Sequence, residues 1–330
     1  MHSQYGNAFF LDRIKVEDKT MKKVFVNVQL NEEQKRKLEA VSNNYQFVYD
    51  KNDDIFDSEI IVGNYHAADL KNFKNLKLLL LTAVGYDAFI KKGILNDKTI
   101  LCNAVDIHSQ EVAEHTLALI LELVKKLHLY KNNQSKHLWQ DEGTVKSVEG
   151  LRVGIIGFGS IGRCLAKLCK GLGMYTIGVK RTMIEKPDYL DELYTNKDMD
   201  KVISNVDVVV SVLPGTAENV HLFTMDTFKK MKTDTILVNC GRGNLYEENV
   251  LYEALDKKII AAAAADVFEV EPLPQDSKLY DLDNFVVTPH IAGFFHLDSA
   301  KDDFLDLICD NLKRYISGEE LRYIVTQREN

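Results

Sequence analysis

Cysteine, proline and tryptophan are all scarce in this chain, with five, five and one among 330 residues. The cysteines, Cys102, Cys164, Cys169, Cys240 and Cys309, are odd in number, scattered and without a C-x-x-C pair, which fits a reducing cytoplasm and not a structural zinc site. Long apolar runs are missing too. The longest, Leu78 to Leu81 and Ile259 to Ala265, fall far short of the ~20 residues a bilayer crossing needs, so no membrane span is expected. Nor is there an excess of positive charge. The net charge is −8 and the pI ≈ 5.7, which argues against nucleic acid or another polyanion as partner, because neutralising phosphates takes a basic face. Met1 to Thr20 carries Asp12, Glu17 and Asp18 and no apolar core, so a secretory signal is not expected and residues 1–20 are set aside as an N-terminal extension. No internal repeat, low-complexity stretch or Pro- or Ser-rich linker interrupts the rest.

What is present is the ordinary balance of a folded protein, 45% hydrophobic and 27% charged, in a chain long enough for two domains. Short β-branched or leucine-rich runs alternate with helical stretches, the pattern of an α/β protein with parallel sheets. Strands are predicted at 24–28, 46–49, 59–63, 78–81 and 100–103, with a charged helix over 31–42 and an amphipathic segment over 67–73. A long helix follows over about 110–130, with Ser109 as its N-cap. From Leu151 a second unit begins, with six strands predicted at 153–156, 176–179, 206–212, 235–239, 259–267 and 285–288, the count of a full dinucleotide fold. The last helix, 298–315, has no sheet of its own to cover and is expected to return to the first unit. The second unit, 109–293, would then be inserted into a discontinuous first domain made of 21–108 and 294–330.

Gly157-Phe158-Gly159-Ser160-Ile161-Gly162 follows the strand ending at Ile156 and precedes a helix, the context in which G-x-G-x-x-G carries meaning. The first glycine allows the turn, the second lets backbone approach a pyrophosphate, and the third lets helix pack on strand. The helix N-terminus then favours the phosphates. An NAD site normally has a carboxylate at the end of the next strand, for the ribose hydroxyls. Here that strand ends in Lys180-Arg181-Thr182. Charge-assisted bonds of ~1.5–3 kcal/mol each to a 2′-phosphate predict NADP over NAD by at least about tenfold. The alternative is a solvated basic turn with Glu185 serving the ribose, and NAD as cofactor.

Three titratable residues follow strands of the second unit, where parallel sheets place ligands: Arg242 in Asn239-Cys240-Gly241-Arg242-Gly243, Glu271 before Pro272, and His290 after Pro289. With Thr82-Ala83-Val84-Gly85-Tyr86-Asp87, the helical Glu111-Val112-Ala113-Glu114-His115 and the glycine turn, in that order, the chain from about Met21 onward resembles the D-isomer-specific 2-hydroxyacid dehydrogenase family, glyoxylate/hydroxypyruvate reductases included. The resemblance implies two Rossmann-like domains, a cofactor-binding domain inserted into a flavodoxin-like substrate domain, and reduction of a 2-oxo acid to a D-2-hydroxy acid. It makes His290 the acid that protonates the substrate carbonyl as hydride arrives from the nicotinamide, a task that suits imidazole near neutrality. Glu271 would hold the other ring nitrogen and favour the imidazolium. Arg242 would bind the substrate carboxylate with its planar fork, helped by the backbone amides of Ala83, Val84 and Gly85.

The same resemblance carries Ser160 and Ile161 to the diphosphate and Cys240, Gly241 and Arg242 to the nicotinamide half. It carries Asp266 to the carboxamide, Ala292 and Gly293 to the ring, and Leu213 and Pro214 to the adenine. Glu111 and His115 share a helix face at i, i+4, but no metal site is expected, since hydride transfer needs none. Trp139 is expected either at a homodimer interface, as in relatives, or in domain packing, and Phe294-Phe295 as an apolar wall near the substrate or as interdomain packing. A C-terminal regulatory domain like that of many phosphoglycerate dehydrogenases is not expected. Alternatives are a dinucleotide-sensing interaction module on the same fold, an NAD-dependent D-lactate or phosphoglycerate type of dehydrogenase, and formate or phosphonate oxidation, which the lack of that subgroup's extra segments disfavours.

Overall fold

Apolar runs too short for helices pair, in the computed structural model, as two all-parallel sheets. The structure describes residues 21–51, 53–293 and 295–326; the extension over 1–20 and Phe294 lie outside the described residues. The first sheet contains β1 (Lys22–Val26), β2 (Tyr45–Val48), β3 (Ile60–Val62), β4 (Leu78–Leu80) and β5 (Ile100–Cys102) in the order β2-β1-β3-β4-β5. Every residue of β3 and β4 is buried, as strands covered on both faces require. Side chains alternate between the two faces. Val24, Val26, Ile60 and Leu78 meet Leu38 of α1 (Glu32–Glu39) and Phe304, Ile308 and Leu312 of the final helix, while Phe25, Ile61 and Leu79 meet Leu70, Phe73 and Phe89 on the other side.

The second sheet contains β6 (Arg152–Ile156), β7 (Tyr175–Lys180), β8 (Glu192–Thr195), β9 (Val208–Ser211), β10 (Ile236–Asn239), β11 (Ala262–Ala265) and β12 (Phe285–Val287), in the order β12-β11-β10-β9-β6-β7-β8. Helices α2 (Ser109–Val124) and α4 (Ser160–Gly171) pack on one face. On the other lie α5 (Met199–Ile203), α6 (Met225–Lys230) and α7 (Glu248–Asp256). From β6 the chain builds outward through β7 and β8, then crosses back to β9 on the other side of β6. The crevice at that reversal, beyond the carboxyl ends of β6 and β9, is where such sheets take ligands. In chain order α3 (Leu127–Ser135) follows α2, and the last helix is α8 (Asp298–Ser317), which lies against the first sheet.

The structure departs from the sequence reading in five places. The second sheet has seven strands, not six: β8 is a half-buried edge strand whose Glu-Leu-Tyr-Thr sequence carries no apolar run to announce it. The long helix expected over 110–130 is two helices, broken where Lys126 takes a left-handed conformation at φ 57°. Lys125 Nζ donates to Lys146 O at 2.8 Å and Lys126 Nζ to Glu142 O, so the break is tied to the strap, residues 136–151, that leads from the second helix to β6. Ser109 is the first helical residue and not the cap; His108 stands at the cap position, with its side chain engaged elsewhere. The segment over 67–73 is a 3-10 turn, Ala67–Asn72, and the helix over 31–42 shortens to α1, capped by Asn31 through Glu33 N and Gln34 N.

Candidate active site

The glycines of the turn after β6 divide by what surrounds them. Gly157 has φ +102°, and a Cβ there would lie 2.9 Å from Val212 O; one at Gly162 would lie 2.9 Å from Gly157 O. Both are demanded by the chain's own packing. Gly159, at the N-cap of α4, has φ −93°, and a Cβ would meet no described atom within 4 Å. What Gly159 leaves open is the cleft, about 820 Å³, which Ser160 and Ile161 of the first turn of α4 also line. A glycine kept where the protein itself has no use for the space, beside a helix N-terminus, fits a dinucleotide pyrophosphate.

An adjoining cavity of about 590 Å³ lies at the end of β7, lined by Lys180, Arg181 and Thr182 opposite Leu213 and Pro214. Lys180 points its Nζ to Phe158 O at 3.4 Å, and burial, with Arg163 nearby, holds its ammonium below the usual lysine range. Arg181 pairs with Glu218 at 3.2 Å, an exposed contact worth at most about 1 kcal/mol and easily exchanged for another anion. Glu185 does not line this cavity, whereas Asn196, Met199 and Asn219, which the sequence did not single out, do. Asn219 Nδ2 donates to Pro214 O and Thr216 Oγ1, both at 2.9 Å, and so braces the turn after β9.

The remaining residues gather where the two sheets face each other, around a cavity of about 100 Å³. From the second sheet come Cys240, Gly241, Arg242, Asp266, His290, Ala292 and Gly293; from the first come Ala83, Val84 and Gly85. His290 sits at φ 54° with its Nδ1 2.7 Å from Glu271 Oε2, and Glu271 Oε1 accepts from Phe268 N at 2.9 Å. Arg242 crosses toward the first sheet: its Nη2 would lie 1.9 Å from a Cβ at Gly85, and its Nε lies 3.6 Å from Asp87 Oδ2. Only glycine lets that guanidinium seat on the loop. Among the described residues no hydrogen bond is made by the N–H of Ala83, Val84 or Gly85, so three successive donors stand ready beside Arg242 for an anion.

Asp266, buried beneath this cavity, accepts from Thr288 Oγ1 (2.6 Å), Ile291 N (3.0 Å) and Ala292 N (3.1 Å). Three of about four lone-pair directions on a carboxylate are thus spent on the loop that carries His290, leaving one. Cys240 is buried, which pushes its thiol up to about 12, so it packs as a neutral group. Glu111 and His115 do not converge. His115 Nε2 lies 3.1 Å from Thr288 Oγ1, while Glu111 turns to His108, whose Nδ1 lies 3.0 Å away. His108, which lines the same cavity, was missed by the sequence reading; its only signal is a His-x-x-Glu spacing at the start of a helix. Phe295 lies against His108, ring centres 4.6 Å apart, and Trp139 is fully exposed.

The family model described as D-isomer specific 2-hydroxyacid dehydrogenase, NAD binding domain, matches residues 117–292. Glyoxylate/hydroxypyruvate reductase B of Escherichia coli is 33% identical over 241 residues, 71% of this chain and 73% of the relative. A D-isomer specific 2-hydroxyacid dehydrogenase family protein from Aeromonas salmonicida superposes with a TM-score of 0.82 at 30% identity, over 93% of this chain and 99% of that one. A D-isomer specific 2-hydroxyacid dehydrogenase from Xanthobacter autotrophicus, solved with NADPH and MES, gives a TM-score of 0.77 at 25% identity, over 92% and 97% of the two chains.

Gly159→Ala tests the division of the glycines. The variant is expected to melt within about 2 °C of the parent, as an exposed substitution that strains nothing does, yet to bind dinucleotide at least about tenfold more weakly by calorimetry. Unchanged affinity would show that the pyrophosphate does not approach this turn.

Proposed function

Because the chain belongs to the D-isomer specific 2-hydroxyacid dehydrogenase family, we propose that it reduces a small 2-oxo acid of the glyoxylate or hydroxypyruvate class to the D-2-hydroxy acid, using NADPH. The observation that carries this reading is the small cavity with His290 and its Glu271 partner on one side and, on the other, Arg242 with three N–H groups that no described residue takes up. A volume of about 100 Å³ suits a molecule of a few heavy atoms. The division expected from the sequence, 21–108 with 294–330 around 109–293, puts this cavity between domains, where closure would exclude water.

Arg242 and the Ala83, Val84 and Gly85 amides bind the substrate carboxylate. Glu271 accepts the hydrogen bond of His290 Nδ1–H, so that the imidazolium gives its Nε2 proton to the carbonyl oxygen and is left as the neutral ring with Nδ1–H still on Glu271. Asp266 holds the 288–292 loop so that the imidazole stays aimed, and its remaining acceptor position serves the carboxamide. Ser160 and Ile161 hold the diphosphate, Cys240 and Gly241 with Ala292 and Gly293 enclose the nicotinamide half, and Leu213 and Pro214 flank the adenine. Lys180, Arg181 and Thr182 take the 2′-phosphate. The bound dinucleotide supplies the hydride. A cytoplasmic homodimer is the setting we infer, with the exposed Trp139 and Leu138 on the strap as contact.

Loss of NADPH absorbance with glyoxylate, hydroxypyruvate, pyruvate and branched 2-oxo acids tests the activity, and a protein that turns over none of them contradicts it. His290→Ala is expected to lower kcat by about 10²–10⁴-fold while NADPH affinity stays within about twofold, as for loss of a proton donor. Substantial residual turnover would remove His290 from the role of acid. For the cofactor, NADPH is expected to exceed NADH in kcat/KM by at least about tenfold, and replacing Lys180 and Arg181 together by alanine is expected to abolish that margin. Since the ammonium of Lys180 loses its proton below the usual lysine range, the preference should fall as pH rises toward that range. A higher kcat/KM with NADH in the parent protein would overturn the assignment of the phosphate pocket.

A further inference from the structure

The carbonyls behind the three N–H groups of this loop are all held by a single stretch of chain. Ala83 O accepts from Ala104 N at 3.0 Å, Val84 O from Asn103 Nδ2 at 2.7 Å, and Thr82 O faces His108 Nε2 at 2.8 Å. All three clamps come from residues 103–108, the segment by which the chain first crosses from one sheet to the other. Each carbonyl belongs to the same planar peptide unit as the next residue's N–H. The only cis bond in the described chain is Glu271-Pro272, so these units are trans, and fixing the carbonyls of 82, 83 and 84 fixes the directions in which the N–H groups of 83, 84 and 85 point.

His108 differs from the other two clamps because it is a side chain with a second anchor. A carbonyl only accepts, so Nε2 donates to Thr82 O. Nδ1 meets Glu111 Oε2 at 3.0 Å, and both side chains are about 6% exposed. The other oxygen of Glu111, Oε1, accepts from His296 N at 2.6 Å and Leu297 N at 3.2 Å, in the segment by which the chain crosses back before α8. Both crossings and the anion-binding loop therefore meet in one buried pair.

We propose that His108, held by Glu111, is a positioning residue that presets the Ala83 N–H for the substrate carboxylate and ties that loop to both interdomain crossings. The proposal rests on the reading of the 83–85 loop as the carboxylate seat. It predicts that grip on the substrate depends on the Nε2 contact in particular, more than on the presence of any side chain in the space.

Two substitutions separate the contacts, because the amide nitrogen of glutamine reaches about where Nε2 lies and that of asparagine about where Nδ1 lies. His108→Asn keeps the bond to Glu111 and loses Thr82 O; His108→Gln does the reverse. His108→Asn is expected to raise KM for glyoxylate, or for the best 2-oxo acid of the panel, by about tenfold, with kcat and NADPH affinity within about threefold of the parent. His108→Gln is expected to retain KM within about threefold. A general packing defect would instead affect both variants alike, or appear in NADPH affinity, and either result would overturn the proposal. Calorimetric titration of oxamate into the NADPH-loaded proteins reads the same ranking without turnover. If the parent reduces no 2-oxo acid, the proposed function falls alone and the oxamate ranking still decides for or against His108; a parent that binds no oxamate overturns both.

Discussion

One buried carboxylate carries the geometry of this site. Asp266 follows the all-alanine strand β11, where small side chains let sheet and helix approach, and it lies almost wholly out of water. A carboxylate so placed is tolerated only when its oxygens are taken up by donors. Here the donors are the hydroxyl of Thr288 and the N–H groups of Ile291 and Ala292. The requirement to satisfy Asp266 therefore shapes the loop on either side of His290. That residue is held at positive φ, a conformation that costs a non-glycine residue of order 1 kcal/mol and persists only where its surroundings impose it. With the loop pinned on both flanks, the imidazole is presented to Glu271 on one side and to the cavity on the other.

A second constraint faces it across the cleft. The 83–85 loop has no element of secondary structure, yet the carbonyls of 82, 83 and 84 are held one after another by residues 103–108. Asn64 adds a fourth hold through Thr82 N at 3.1 Å. Each sheet thus supports one half of the proposed site, His290 on the second and the 83–85 loop on the first, and Arg242 reaches from one half to the other. Chemistry of this kind depends on the alignment of the two halves, which makes the two short crossings as much a part of the site as the residues that line it.

What could be read from the sequence was whatever a local conformation demands. Gly157 needs a left-handed turn, Gly162 a helix against a strand, and the wholly buried strands need uninterrupted apolar runs, so the parallel sheets and the glycine turn between strand and helix were legible. Strand β8 was not, because an edge strand with mixed side chains leaves no apolar signature. The break at Lys126 was hidden as well, since it depends on carbonyls of the strap 142–146 that local pattern does not reveal. His108 reads locally as part of an ordinary polar helix start and Glu111 as a neighbour of His115 on one helix face; what joins them comes from Thr82, 26 residues from His108, and from His296 and Leu297, beyond the whole second sheet. The charge sum misled in the same way, for an acidic total hides the local cluster of Lys180, Arg181 and Arg163.

The proposed reaction passes hydride directly from a nicotinamide to C2 of a 2-oxo acid held by Arg242 and the 83–85 loop. Reduction of the 2-oxo acid by NADPH deuterated at C4 on the transferred face, with mass and chiral analysis of the product, follows that hydride atom by atom. One deuterium at C2 and a single D-2-hydroxy acid are expected. A product without the label, or one formed as a racemate or the L-isomer, would contradict it.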